Sequence, residues 1–218
     1  WEYGYSTDVL GRVIEVVSGM PLDEFLNERI FEPLGMNDTG FYVPEEKQDR
    51  LAQPPVDPAT GELAEMPDVT TRPSFISGGS GMVSTAADYA RFLEMLLNGG
   101  ELDGTRILGS MTVEYILADH LAPLPVKAPR AAALEGFVGG KSNQSDLPGV
   151  GYGGFGLGAA VRAEQVSGMP GNVGEYYWSG AHGTYFWLDP VEEMFAIYMS
   201  QDPSGEGKAK YRSLFKSL

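Results

Sequence analysis

The sequence predicts an α+β protein with an antiparallel sheet, on three observations. Apolar residues recur at helical spacing before residue 120, and short aromatic and aliphatic runs separated by turn signals follow after residue 150. The stretch 208–218 then reads as a closing helix. Helices first and closely spaced strands afterwards fit an α+β fold better than alternating βαβ units.

In order, Val9, Leu10, Val13, Ile14 and Val17 form a helical stripe after Ser6 and Thr7, with Gly19 as its stop. Pro21 opens a second helix through Leu22, Phe25, Leu26 and Ile30, ending near Pro33. Six prolines between residues 44 and 76 mark a long irregular excursion. Thr85 and Asp88 fit a capping box ahead of Tyr89, Phe92, Leu93, Leu96 and Leu97, and Asn98-Gly99-Gly100 ends that helix. A shorter helix is expected over Met111 to Asp119, then a loop over 121–151. Strands are expected at 155–162, 173–178, 184–188 and 194–200, with a turn at Asp189-Pro190.

Composition excludes more than it assigns. The 218 residues carry a formal charge of −15, which repels polyanions and argues against a nucleic-acid partner. No run approaches the roughly 18 apolar residues of a membrane span. With no cysteine, disulfides and thiolate chemistry are absent, and the redox compartment is undetermined. Two histidines, His120 and His182, are too few for a histidine-rich metal cage, and no cofactor is expected.

Four motifs invite stronger readings. Gly151-Tyr152-Gly153-Gly154-Phe155-Gly156 matches G-x-G-x-x-G, but that motif needs a strand before it and a helix after it. A glycine-rich strand entrance is expected instead. Ser213-Leu214-Phe215-Lys216 matches S-x-x-K but lies two residues from the end of the chain, on an expected surface helix. Gly78-Gly79-Ser80-Gly81-Met82 falls short of a nucleophile elbow because Met82 replaces a glycine, so a structural turn is expected. His182 then lacks an elbow serine to serve.

Larger fragments carry a resemblance. Trp1-Glu2-Tyr3-Gly4-Tyr5-Ser6-Thr7-Asp8-Val9-Leu10-Gly11 is similar to the tyrosine-motif segment of family VIII carboxylesterases, relatives of class C β-lactamases and DD-peptidases. The similarity continues through Phe31-Glu32-Pro33-Leu34-Gly35-Met36, Gly78 to Thr85 and Asp88-Tyr89-Ala90-Arg91-Phe92. Gly174-Glu175-Tyr176-Tyr177-Trp178-Ser179-Gly180 resembles the family's W-x-G box, followed by Gly183 to Trp187 and Asp189-Pro190. The order and spacing of these fragments span essentially the whole chain.

The resemblance implies a β-lactamase/transpeptidase-like fold, with the active site between a helical domain (1–145 here) and a sheet domain (146–218). It implies a serine of S-x-x-K that attacks an ester or amide carbonyl and forms an acyl-enzyme. Tyr3 aligns with the proton-shuttling tyrosine, and Tyr5 is expected to line the pocket. The W-x-G box implies that Trp178, Ser179 and Gly180 contact substrate and that the Ala181 N–H completes an oxyanion hole. Trp178 replaces a lysine that holds a substrate carboxylate, which favours a neutral small-molecule ester; the alternative is a packed core aromatic. The family places S-x-x-K upstream of the tyrosine motif, where this sequence begins. An N-terminal segment of a longer polypeptide, a companion chain, or loss of catalysis each accommodates that departure. A β-lactamase or DD-peptidase activity and a non-catalytic ligand-binding relative remain as alternatives.

Overall fold

The computed structural model describes residues 4–57, 59–121, 153–165, 170–203, 211 and 214–215. Helix α1 covers Ser6–Ser18 and stops where predicted, at Gly19, whose φ of 72° is left-handed and whose N–H returns to the Glu15 carbonyl. Helix α2, Leu22–Leu26, runs on as a π-helical turn, Asn27–Phe31. The excursion after it is irregular apart from a 3₁₀ turn at Glu45–Arg50. Lys47 and Arg50 of that turn both pair with Asp38, at 2.9 and 2.6 Å. Arg72 grips Asp23 of α2 through two bonds of 2.6 and 2.8 Å.

Helix α3, Ala86–Leu97, is capped by Thr85, whose Oγ1 accepts the Asp88 N–H at 3.1 Å. The reciprocal half of the expected capping box does not form. The buried Asp88 carboxylate instead accepts from the Asp38 N–H at 2.7 Å and the Thr39 hydroxyl at 2.9 Å. It thereby fixes the chain that enters the excursion to the start of α3.

Strands β1 (Glu101–Leu102) and β2 (Thr105–Arg106) form a small hairpin not expected from the sequence. Asp103 and Gly104 at its tip both have positive φ, 50° and 78°, the signature of a two-residue type I′ turn. Helix α4 follows at Ser110–Leu117.

A five-stranded antiparallel sheet completes the fold, in the order β3 (Gly153–Phe155), β4 (Ala160–Arg162), β5 (Tyr176–Ser179), β6 (Tyr185–Asp189) and β7 (Met194–Tyr198). The single strand expected over 155–162 is in fact two. Gly156 donates to the Ala159 carbonyl at 2.8 Å and Gly158 has φ 105°, so the chain reverses there. The glycine-rich segment thus enters a strand, as the pattern analysis expected. The expected loop over 121–151 falls almost wholly outside the described residues.

Sheet and helices share one apolar interior. Leu34, Leu93, Met95 and Leu188 are almost completely buried, and Phe186, Phe195 and Ile197 pack on the same cluster. No helix among the described residues is long and apolar enough to cross a membrane.

Candidate active site

Tyr3 and the Ser213-x-x-Lys216 pair lie outside the described residues. Tyr5 caps the start of α1 with its backbone, its carbonyl accepting the Val9 N–H at 3.0 Å, and its ring stands in solvent. The head of α1 rests on the 77–81 loop. Ser77 donates to the Asp8 carboxylate at 2.5 Å, and the N–H groups of Gly79 and Ser80 point back to the Ser77 oxygen at 3.1 and 3.0 Å. The Gly78–Met82 segment is therefore a structural turn, as expected.

Trp178, Ser179, Gly180 and Ala181 form one continuous unit at the end of β5. Trp178 pairs with Phe186 on β6 and meets Phe155 edge-to-face at 5.5 Å, so much of its indole is packing. Gly180 opens a tight turn into β6. Its N–H donates to the Thr184 carbonyl at 2.9 Å, and the Gly183 N–H returns to the Gly180 carbonyl at 3.1 Å. A Cβ on Gly180 would lie 2.1 Å from Thr184 Oγ1, so the glycine of the W-x-G box leaves room at the turn for that hydroxyl. Ala181 is exposed at the crest of this turn, while Gly183 is buried with φ 96°. The His182 carbonyl accepts the Asp202 N–H at 2.9 Å, which ties the turn to the chain leaving β7.

An open cleft of about 420 Å³ borders the turn, lined by Gln53, Gly183, Tyr198, Ser200, Asp202 and Tyr211 among others. Sequence reasoning missed these residues because they come from four separate stretches and match no spacing pattern.

Two other tyrosines are unsuited to accept a proton. Burial pushes the Tyr176 phenol up to about 12, and its hydroxyl donates to the Leu157 carbonyl at 2.9 Å. Burial also raises Tyr89, with Tyr176 nearby adding to the shift. A phenol that takes a proton from serine needs the opposite shift.

Helices packed on an antiparallel sheet, with a glycine-closed turn leaving β5, define an α+β protein of the β-lactamase/transpeptidase-like fold. The family model described as Beta-lactamase matches residues 1–217, and the chain belongs to that family. Protein Rv1367c of Mycobacterium tuberculosis is 33% identical over 207 residues, covering 91% of this chain and 48% of that protein. The lovastatin esterase of Penicillium rubens is 32% identical over 201 residues, covering 85% of this chain and 47% of the esterase. The chain thus spans about half the length of these curated relatives. Among solved structures, EstCE1, described as a hydrolase with promiscuous acyltransferase activity, superposes with a TM-score of 0.74. That match covers 99% of this chain and 55% of EstCE1 at 24% identity, a likeness of fold.

Proposed function

We propose that this chain is the tyrosine- and oxyanion-bearing part of a family VIII-type carboxylesterase, whose Ser-x-x-Lys nucleophile comes from a segment outside residues 1–218. The carrying observation is the pinned turn after β5, which leaves Ala181 exposed and whose Gly183 lines an open cleft. The named activity of the Penicillium esterase supports a hydrolase that cleaves esters.

In this reading the serine oxygen attacks the ester carbonyl while its proton passes to the Tyr3 oxygen. A neighbouring lysine cation favours the phenolate that accepts it. The carbonyl oxygen gains charge, and the Ala181 N–H together with the serine's own N–H stabilises it. The C–O bond to the alcohol then breaks, and Tyr3 returns the proton to the departing alkoxide. Water repeats the sequence on the acyl-enzyme and releases the acid. Tyr5, Trp178, Ser179 and Gly180 border the substrate.

The test is turnover of p-nitrophenyl butyrate by the chain together with its Ser-x-x-Lys segment. Tyr3→Phe removes one hydroxyl, and the expected loss is about 10²-fold or more. Retained turnover in a folded Tyr3→Phe protein overturns the assignment. Membership of the Beta-lactamase family favours an amide-cleaving second reading, which nitrocefin hydrolysis exceeding ester hydrolysis would establish. Failure of a fluorophosphonate to label any serine favours a ligand-binding relative.

A further inference from the structure

The turn after β5 is tied from outside as well as from within. The register Tyr185↔Tyr198 carries the chain leaving β7 past the turn, and beyond the ladder the Asp202 N–H donates to the His182 carbonyl at 2.9 Å. His182 and Gly183 share that peptide unit, and its other end is also engaged, since the Gly183 N–H donates to the Gly180 carbonyl at 3.1 Å. The Gly180 carbonyl in turn belongs to the peptide unit that carries the Ala181 N–H. No peptide bond among the described residues is cis, so in each unit the N–H and C=O are coplanar and point in opposite directions. The peptide units joining 201 to 202, 182 to 183 and 180 to 181 thus stand in file, each N–H donating to the carbonyl of the next. The last N–H in the file, that of Ala181, points away from the Gly183 N–H that fixes its carbonyl.

We propose that the Asp202 backbone N–H is a positioning group for catalysis, which anchors this file and so aims the Ala181 N–H at the carbonyl oxygen of the substrate. The inference rests on the esterase reading above, in which Ala181 is an oxyanion donor, and adds to it a residue from the chain beyond β7. The sequence supports each link. Gly183 is buried with φ 96°, a left-handed conformation that a residue with a Cβ resists. Pro203 confines Asp202 to extended backbone, which presets the direction of its N–H. His182 and Asp202 are both partly buried, which strengthens the bond between them. Bonds in file polarise one another by only about 10–30% each. Direction matters more, because a displacement of about 1 Å at a catalytic group costs up to about 10²-fold. The turn keeps its inner bonds when the outer anchor is lost, so the donor is loosened and not removed. The expected loss of turnover is about tenfold, less than the roughly 10²-fold of a missing oxyanion donor.

The test exchanges Asp202 for (S)-malic acid, its α-hydroxy counterpart, by nonsense suppression in the full protein with its Ser-x-x-Lys segment. An ester oxygen replaces the N–H, and the side chain is unchanged. Turnover of p-nitrophenyl butyrate is counted per serine labelled by a fluorophosphonate, so that unfolded protein drops out. It is expected to fall about tenfold while KM changes by less than about twofold. Inhibition by 1-butaneboronic acid, whose serine adduct places an oxygen where the oxyanion stands, should weaken by a similar factor. Asp202→Pro also lacks the N–H and should show the same split. A bond with a purely structural role lowers the melting temperature and leaves kcat per labelled serine and boronate inhibition unchanged, and that result overturns the proposal. A loss confined to KM overturns it as well. Turnover and labelling both absent from the starting protein reject the esterase reading and the positioning role with it. Both present, with the ester-linked protein no slower, reject the positioning role alone.

Discussion

Gly78 lies so close to Thr7 that a Cβ there would stand 2.1 Å from the Thr7 carbonyl oxygen and 2.9 Å from its carbon. Beside it, the Ser77 hydroxyl holds Asp8 at 2.5 Å. The first turn of α1, into which Trp1 to Tyr5 lead, is thereby positioned by a loop some 70 residues further along the chain.

Gly78→Ala must therefore push the loop and the helix apart. Backbone faces backbone, so no flexible side chain can give way, and overpacking of this kind costs about 1–3 kcal/mol. A melting temperature lower by about 2–4 °C per kcal/mol is expected. Gly4→Ala meets nothing within 4 Å and should be near neutral, which makes it the control.

The Asp23–Arg72 pair gives a pH signature. Its hydrogen bond from Arg72 outweighs partial burial and holds the Asp23 carboxyl below the usual carboxylate range. A lowered folded value means that the stabilisation is present above the unfolded value of about 3.9 and disappears as pH falls through the folded value. Being half-exposed on the arginine side, the pair should contribute no more than about 0.2–1 kcal/mol. Asp23→Asn is thus expected to lower stability slightly at pH 7, and the two proteins should converge as pH falls through the lowered folded value of Asp23. Urea titrations at several pH values measure the difference, and a gap that widens in acid contradicts the sign.

Much of this was legible in the sequence, for reasons that particular residues show. Gly19 ends α1 because few other residues adopt φ 72°, and Thr85 caps α3 through a bond that its position alone suggests. The β1–β2 hairpin was missed although Asp103-Gly104 is a strong turn signal, because strands of two residues have no periodicity to read. The β3–β4 reversal was missed because residues 155–162 form one apolar run, and only Gly158 in a left-handed conformation breaks it. The outward stripe of α1 was read as a helix, but nothing in its spacing tells which side faces the chain. At the site, the W-x-G box was legible as a motif. The close approach of Gly180 to the hydroxyl of a threonine four residues later, and the cleft that Gly183 lines, were not.

Gly180→Ala tests that close approach. The new methyl would collide with Thr184 Oγ1 at 2.1 Å, while Thr184 Cβ lies at an ordinary 3.5 Å. On the proposed reading, in which the Ala181 N–H is an oxyanion donor, opening the turn displaces that donor and ester turnover is expected to fall about 10²-fold. Adding Thr184→Ala removes the colliding oxygen and should restore a large part of that turnover. If the double variant is no better than the single one, the glycine serves something other than the turn.

Trp178→Lys asks whether this position sets the preference for uncharged substrates. A lysine ammonium about 4 Å from a β-lactam carboxylate gains about 4 kcal/mol at an effective dielectric near 20. Desolvating the ammonium removes much of this gain. Loss of the indole also empties the place where Trp178 meets Phe155 at 5.5 Å and faces Phe186 across the ladder, and such a hole is costly. The variant should therefore melt at a lower temperature while its ratio of nitrocefin to p-nitrophenyl butyrate turnover rises about tenfold, roughly 1.4 kcal/mol. The ratio is the informative quantity, because a loss of stability alone reduces both activities together. Lower stability with an unchanged ratio assigns Trp178 to packing between β3, β5 and β6, and leaves substrate charge to other walls of the groove.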